Sequence, residues 1–259
     1  MDFKNIKLFA FDLDGTLYRG ESLLAGAKEL INYLRDNNKQ VVFHTNASGK
    51  TIKQISDKLN RLGIECNEID IFSPLRLAPD FLKKHVLNNV YVIGSDNFKN
   101  ELENNGINII DSVLANDVIV ALDNEFNYNK LSIALSILMR GGRLIIANKD
   151  ANYPVGNYDY LPGCGAIVSA ISFASDKAGH DFCIGKPNVF MMEKISKQYN
   201  VHYKEIAVIG DSIDSDIEMA LRYQSKPILI SQNLTYFNGA EIVKNLNQLL
   251  MIIKNSIGD

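Results

Sequence analysis

No stretch of the chain carries the roughly 18 consecutive apolar residues that a membrane-spanning helix needs, so a helical membrane protein is excluded. Residues 1–7 hold no apolar signal region, and the expected location is therefore the cytoplasm. Cysteine is scarce and odd in number. Cys66, Cys164 and Cys183 are widely spaced, which argues for reduced thiols and against a disulfide framework or a paired-cysteine zinc site. The 4 histidines, His44, His85, His180 and His202, show no metal-ligand spacing, so a catalytic zinc is not expected. A one-sided charge is missing too: 27 basic against 30 acidic residues give a net charge of -3, well mixed along the chain, which leaves no stripe for nucleic acid and no polybasic membrane patch. Low-complexity stretches and regular repeats are absent.

What the 259 residues do have is enough apolar content, 46%, to bury a full core. Short apolar runs alternate with helical stripes. Residues 8–11 read as a buried parallel strand, 27–34 as a helix, 40–43 as a strand, and 52–62 as a helix stopped by Gly63. The alternation restarts after Ser73-Pro74 with strands at 90–93, 118–121 and 143–147 and helices at 98–105 and 128–139, a block of about 100 residues and long enough for a small domain. From 181 onward come strands at 182–184, 206–209 and 227–230, helices at 190–199 and 215–222, and a last helix over 241–254. The expected organisation is a core at 1–75 and 179–259, interrupted by an inserted domain at 76–178.

Four strand ends carry polar residues. The first run closes on Asp12-Leu13-Asp14-Gly15-Thr16. Carboxylates this close, at about 4 Å and an effective dielectric of ~20, repel by roughly 4 kcal/mol, which favours a bound cation or a retained proton. The second end is Thr45-Asn46, the third Gly185-Lys186-Pro187, and the fourth Gly210-Asp211-Ser212-Ile213-Asp214-Ser215-Asp216. Each has an ordinary alternative: an Asp-Gly turn, a helix cap, a solvated lysine, an acidic first helical turn. Their joint occurrence, each at the end of a strand, is far more specific than any one of them.

In that order and placement the four motifs resemble those of the haloacid dehalogenase superfamily of aspartate-nucleophile phosphatases. The stretches Val90-Tyr91-Val92-Ile93-Gly94-Ser95, Val120-Ala121-Leu122-Asp123, Ala147-Asn148-Lys149-Asp150-Ala151-Asn152-Tyr153-Pro154 and Leu161-Pro162-Gly163-Cys164-Gly165-Ala166 are similar to its NagD-like, or 4-nitrophenylphosphatase-like, branch. The likeness spans residues 6–230. It implies a Rossmann-like, doubly wound parallel sheet with an inserted α/β cap, and a magnesium-dependent phosphatase acting on small phosphorylated metabolites such as sugar, polyol or nucleotide monophosphates and 4-nitrophenyl phosphate. It also implies roles. Asp12 is the nucleophile that becomes an aspartyl-phosphate, and Asp14 the acid that protonates the leaving group and then the base that activates water. Asp12, Asp211 and the backbone carbonyl of Asp14 would ligate Mg²⁺, with Asp216 orienting metal-bound water. Thr45, Asn46 and Lys186 would clamp the phosphoryl oxygens. Asp214 receives no role. Asn148, Asp150 and Tyr153 are the cap positions expected to face the leaving group, and relatives often pair through their caps as homodimers.

Two departures concern specificity. Ala47 stands where relatives commonly carry a second asparagine, and His44 where an aromatic residue is frequent. A phosphotransferase or phosphomutase using the same aspartyl-phosphate is the main alternative. A receiver-like signalling module fits poorly, since it needs only about half this length. Asp14 argues against dehalogenase or phosphonatase chemistry, which needs no acid two residues after the nucleophile.

Overall fold

The computed structural model describes residues 2–154, 159–176 and 179–257, in two compact units. The expected cap boundary at 178 falls outside the described residues. The first unit comprises 1–45, 53–72 and 186–259, and the second 46–52 and 73–185.

The first unit is built on a six-stranded sheet. Its order is Glu241–Val243, Lys226–Ile230, Ile206–Gly210, Leu8–Asp12, Gln40–His44, Ile71–Phe72, and every neighbouring pair is parallel. Leu8–Asp12 is buried along its whole length, which is why it reads as a continuous apolar run and not as an alternation. The chain proceeds from this strand to one side, at Gln40–His44, and returns to the other at Ile206–Gly210. The carboxyl end of Leu8–Asp12 therefore lies at a topological switch point, where open α/β sheets bind ligands.

The second unit has its own five-stranded parallel sheet, ordered Phe182–Cys183, Leu144–Ile146, Asp117–Val120, Asn89–Ile93, Asn108–Ile109. Strand Phe182–Cys183 is a correction. Expected in the returning core segment, it pairs instead with Leu144–Ile146, so the second unit extends to Gly185. Two helices were not expected, Pro74–Lys84 and Cys164–Ala174. Pro74 at the helix start, with Ser73 accepting the Arg76 amide at 3.4 Å, is a proper initiation signal, but Pro79 within the helix masks it.

The carboxyl-terminal helix is a second correction. Residues 241–243 form an edge strand, and the helix runs over Leu246–Ile257. Asn245 accepts the Gln248 amide at 3.0 Å and so caps the helix there, while Leu246, Leu249, Leu250 and Ile253 are buried. The helix expected over 215–222 begins with a π turn, Ile213–Ile217, continuing as Glu218–Tyr223. No helix among the described residues is long and apolar enough to cross a membrane.

Candidate active site

Asp12 is the last residue of the central strand, and its register partner on the neighbouring strand is His44, immediately before Thr45. Lys186 opens the segment that re-enters the first unit, and it is only 3% exposed. Its ammonium donates to Asp12 Oδ1 at 2.6 Å and to Asp216 Oδ1 at 2.6 Å. Asp216 reaches this position because the chain at Ile213–Ile217 turns back over the strand end. Gly210 makes room for it, since a Cβ there would lie 2.2 Å from Asp216 Oδ2. Asp216 Oδ2 also accepts the Ser212 amide at 3.2 Å.

Asp211 meets the Asp12 loop from the opposite strand. A Cβ on Gly15 would fall 2.2 Å from Asp211 Oδ2, and the positive φ of 92° at Gly15 also favours glycine. Thr16 Oγ1 lies 3.5 Å from Asp211 Oδ1. Asp14 projects to the surface, where Tyr18 Oη donates to its Oδ2 at 3.2 Å. Thr45 is buried, its amide donating to the Phe72 carbonyl at 3.0 Å.

The electrostatics are unbalanced. Burial works against a charged Lys186, but Asp12 and Asp216 outweigh it and hold the ammonium above the usual lysine range. Burial in turn raises the Asp12 carboxyl; Lys186 opposes this, while Asp216 and Asp14 add to it. Asp216 is likewise raised by burial, with Lys186 opposing, and Asp211 by partial burial and the nearby Asp12. One ammonium cannot neutralise this many carboxylates, so protons or further positive charge are favoured. A hard divalent cation fits that excess. Asp12 and Asp211 supply free oxygens of the kind Mg²⁺ prefers. Asp12, His44 and Asp216 also come within 4.8 Å of one another, but the Lys186 ammonium already sits against both acids of that group.

His44 was singled out in the sequence only as an unusual residue. It is fully buried, its Nδ1 is 3.9 Å from Asp216 Oδ1, and neither ring nitrogen has a hydrogen-bond partner among the described residues. Burial and the Lys186 charge hold the imidazole well below its ordinary pKa, against a weaker pull from the Ala10 main chain, so the ring is neutral.

Asn46 belongs to the second unit, with Asn148 and Asp150. Asn148 Nδ2 donates to the Asn46 carbonyl at 2.7 Å, Asn46 Nδ2 donates to Asp150 Oδ1 at 3.1 Å, and the Asp150 amide donates to Asn148 Oδ1 at 3.0 Å. Tyr153 sits on a short strand paired antiparallel with another, opposite Leu161. Asp214 is exposed. Cys164 is buried, its thiol pushed up to about 12 by that burial, which fits packing and not reactivity. Tyr18 and Thr16 were missed as contributors; both adjoin the first motif, but their contacts depend on how its loop folds.

A family model for haloacid dehalogenase-like hydrolases matches residues 9–108, and a second, for HAD-hydrolase-like sequences, matches 183–243. An acid sugar phosphatase of Staphylococcus epidermidis is 33% identical over 215 residues, covering 83% of this chain and 82% of its own. The chain is a haloacid dehalogenase-like hydrolase. The sugar-phosphatase AraL of Bacillus subtilis is 33% identical over 221 residues, 85% of this chain and 80% of that protein. Among solved structures, a 4-nitrophenylphosphatase from Thermotoga maritima superposes with a TM-score of 0.87 at 26% identity, over 96% of this chain and 98% of that one. This hydrolase thus shares both the fold and the branch that its motifs resemble.

Proposed function

We propose that this hydrolase is a magnesium-dependent phosphatase of small phosphomonoesters that works through an aspartyl-phosphate on Asp12. The observation that carries the reading is the buried Asp12 at a strand end, held at 2.6 Å by a lysine that also anchors Asp216, amid more carboxylates than that lysine can neutralise. The names of the acid sugar phosphatase, AraL and 4-nitrophenylphosphatase relatives support the substrate class.

Each residue has a task in this reaction. Lys186 fixes one Asp12 oxygen, so the other faces phosphorus, and its charge offsets that of the incoming phosphoryl oxygens. Asp12 attacks, the ester bond breaks, and Asp14 delivers a proton to the departing oxygen. The same Asp14, now a carboxylate, takes a proton from the water that cleaves the acyl-phosphate. Asp216 holds Lys186 in line. Mg²⁺, held by Asp12, Asp211 and the Asp14 carbonyl, would supply the remaining neutralisation of charge on the phosphoryl group.

Thr45 and Asn46 are assigned to the phosphoryl oxygens, and the hydrogen bonds from Asn148 and to Asp150 support a role for those two in fixing Asn46. Tyr153 is assigned to the leaving-group side. Residues 76–178, most of a unit with its own sheet, serve as the cap. Exposed Tyr128, Met139 and Phe173, the last 92% exposed, support pairing of two copies through that unit. Three buried cysteines outside any disulfide support a reducing, cytoplasmic setting. Phosphate release from 4-nitrophenyl phosphate tests the core of the reading: it should require Mg²⁺, stop with EDTA and return when Mg²⁺ is restored. Full turnover in EDTA would overturn the metal assignment, and transfer of phosphate to another sugar hydroxyl in place of water would make the enzyme a mutase.

A further inference from the structure

The loop after Asp12 closes tightly on itself. The amides of Leu17 and Tyr18 donate to the Leu13 carbonyl at 2.9 and 3.2 Å, and the Gly15 amide donates to the Tyr18 carbonyl at 2.8 Å. This brings residue 18 back beside residue 14 and buries its side chain to 2% exposure, while Asp14 stays at the surface. Among the described residues, the one side-chain hydrogen bond to the Asp14 carboxylate comes from Tyr18 Oη, 3.2 Å from Oδ2. The ring is itself held from the far side: Lys58 Nζ lies 3.8 Å from its centroid, and Lys58 is braced 3.8 Å from Glu21.

We propose that Tyr18 is a positioning residue for the proton-transfer step, its hydroxyl occupying Asp14 Oδ2 so that Oδ1 is the oxygen turned to the leaving group. The proposal rests on the assignment of Asp14 as acid and base. A carboxylate on a surface loop otherwise rotates freely about χ1 and χ2, and proton transfer demands placement within hydrogen-bond reach. A single donor on one oxygen removes most of that freedom without consuming the oxygen that carries the proton. Tyr18 keeps its own proton throughout: burial, and then the Asp14 charge, raise its phenol above the ordinary range. In the first step the Oδ1 proton passes to the ester oxygen as the P–O bond breaks. In the second, Oδ1 takes a proton from water as the water oxygen bonds to phosphorus and the bond between phosphorus and the Asp12 oxygen breaks.

The test uses kcat/KM, which reports formation of the aspartyl-phosphate, across phosphate esters whose leaving groups range from 4-nitrophenol to phenol to an alkyl alcohol. A good leaving group needs little protonation; an alkoxide needs it fully. Tyr18→Phe keeps the ring and its seat under Lys58, so it removes only the hydroxyl. We expect it to lower kcat/KM by about tenfold for the alkyl ester and less than about threefold for 4-nitrophenyl phosphate, the size one hydrogen bond provides. Asp14→Asn should show the same trend more steeply, and adding Tyr18→Phe to it should cost nothing more, because Tyr18 acts through Asp14. An equal loss across all leaving groups, no loss, or an additive double variant would each overturn the role of Tyr18. If instead Asp14→Asn itself lacked leaving-group dependence, the acid assignment beneath the proposal would fall.

Discussion

The two units carry parallel sheets of similar construction, yet their buried charges behave differently. In the second unit, Asp117 at the start of its strand takes both arms of Arg143, at 2.8 Å each, and Asp123 takes Lys130 at 2.7 Å. Each acid there has one cation, and the Asp117 pair has bidentate geometry. In the first unit, Lys186 is shared by Asp12 and Asp216, with Asp211 and Asp14 nearby. Matched charges brace a strand. Unmatched charges at a strand end suit a site for something that brings the missing charge, and that imbalance, more than burial alone, separates the carboxylates of the proposed site from those that pair one to one.

The contrast can be broken at several points. Asp12→Asn preserves shape and one hydrogen-bond acceptor but removes the nucleophile; turnover of 4-nitrophenyl phosphate should fall on the order of 10⁴-fold or more, with the protein folded by circular dichroism. Lys186→Met should abolish activity and also destabilise, by about 3–5 kcal/mol in urea unfolding at pH 8 without metal, because two buried carboxylates lose their shared cation. Arg143→Met makes the equivalent cut in the second unit. Since its guanidinium is 42% exposed, water replaces part of what is lost, and a cost of about 1–3 kcal/mol with unchanged kcat is expected. Should Arg143→Met silence the enzyme as Lys186→Met does, the distinction between matched and unmatched charge would fail.

The smallest effect concerns His44. Its neutral ring is buried without hydrogen-bond partners among the described residues, so His44→Phe should leave activity within a few-fold and raise stability by about 1 kcal/mol at neutral pH. The pH dependence is more telling. The unfolded chain takes up a proton on this histidine below its ordinary value of 6.5, whereas the folded protein resists doing so, and stability present above 6.5 is lost as pH falls. Differences in urea midpoint between wild type and His44→Phe should therefore widen below pH 6.5, approaching about 1.4 kcal/mol per pH unit. A difference independent of pH would mean that the folded protein charges the ring.

The fold was legible wherever a strand is buried on both faces or a helix shows one apolar stripe, as at residues 8–12, 27–36 and 52–61. It was not legible where pairing depends on distant partners. The edge strand Glu241–Val243 has the composition of a helix start, and only its pairing with Lys226–Ile230 makes it a strand. Strand Phe182–Cys183 is too short to announce which sheet it joins. The four polar strand ends were readable because each follows an apolar run, and their order is what the family models match. The anchoring of Lys186 by Asp216 was not, since an acid six residues past a strand turns inward only through a π turn over Gly210.

By itself, then, the sequence determined the alternation of strands and helices and the strand-end motifs that place the chain in its family, because apolar periodicity and the chemistry of strand ends are local properties. Tertiary structure alone decided which acids share a cation, why His44 is neutral, and how Tyr18 comes to hold Asp14. Those depend on distances between groups set by sheet register and loop closure, and electrostatic coupling follows distance in space, not separation along the chain.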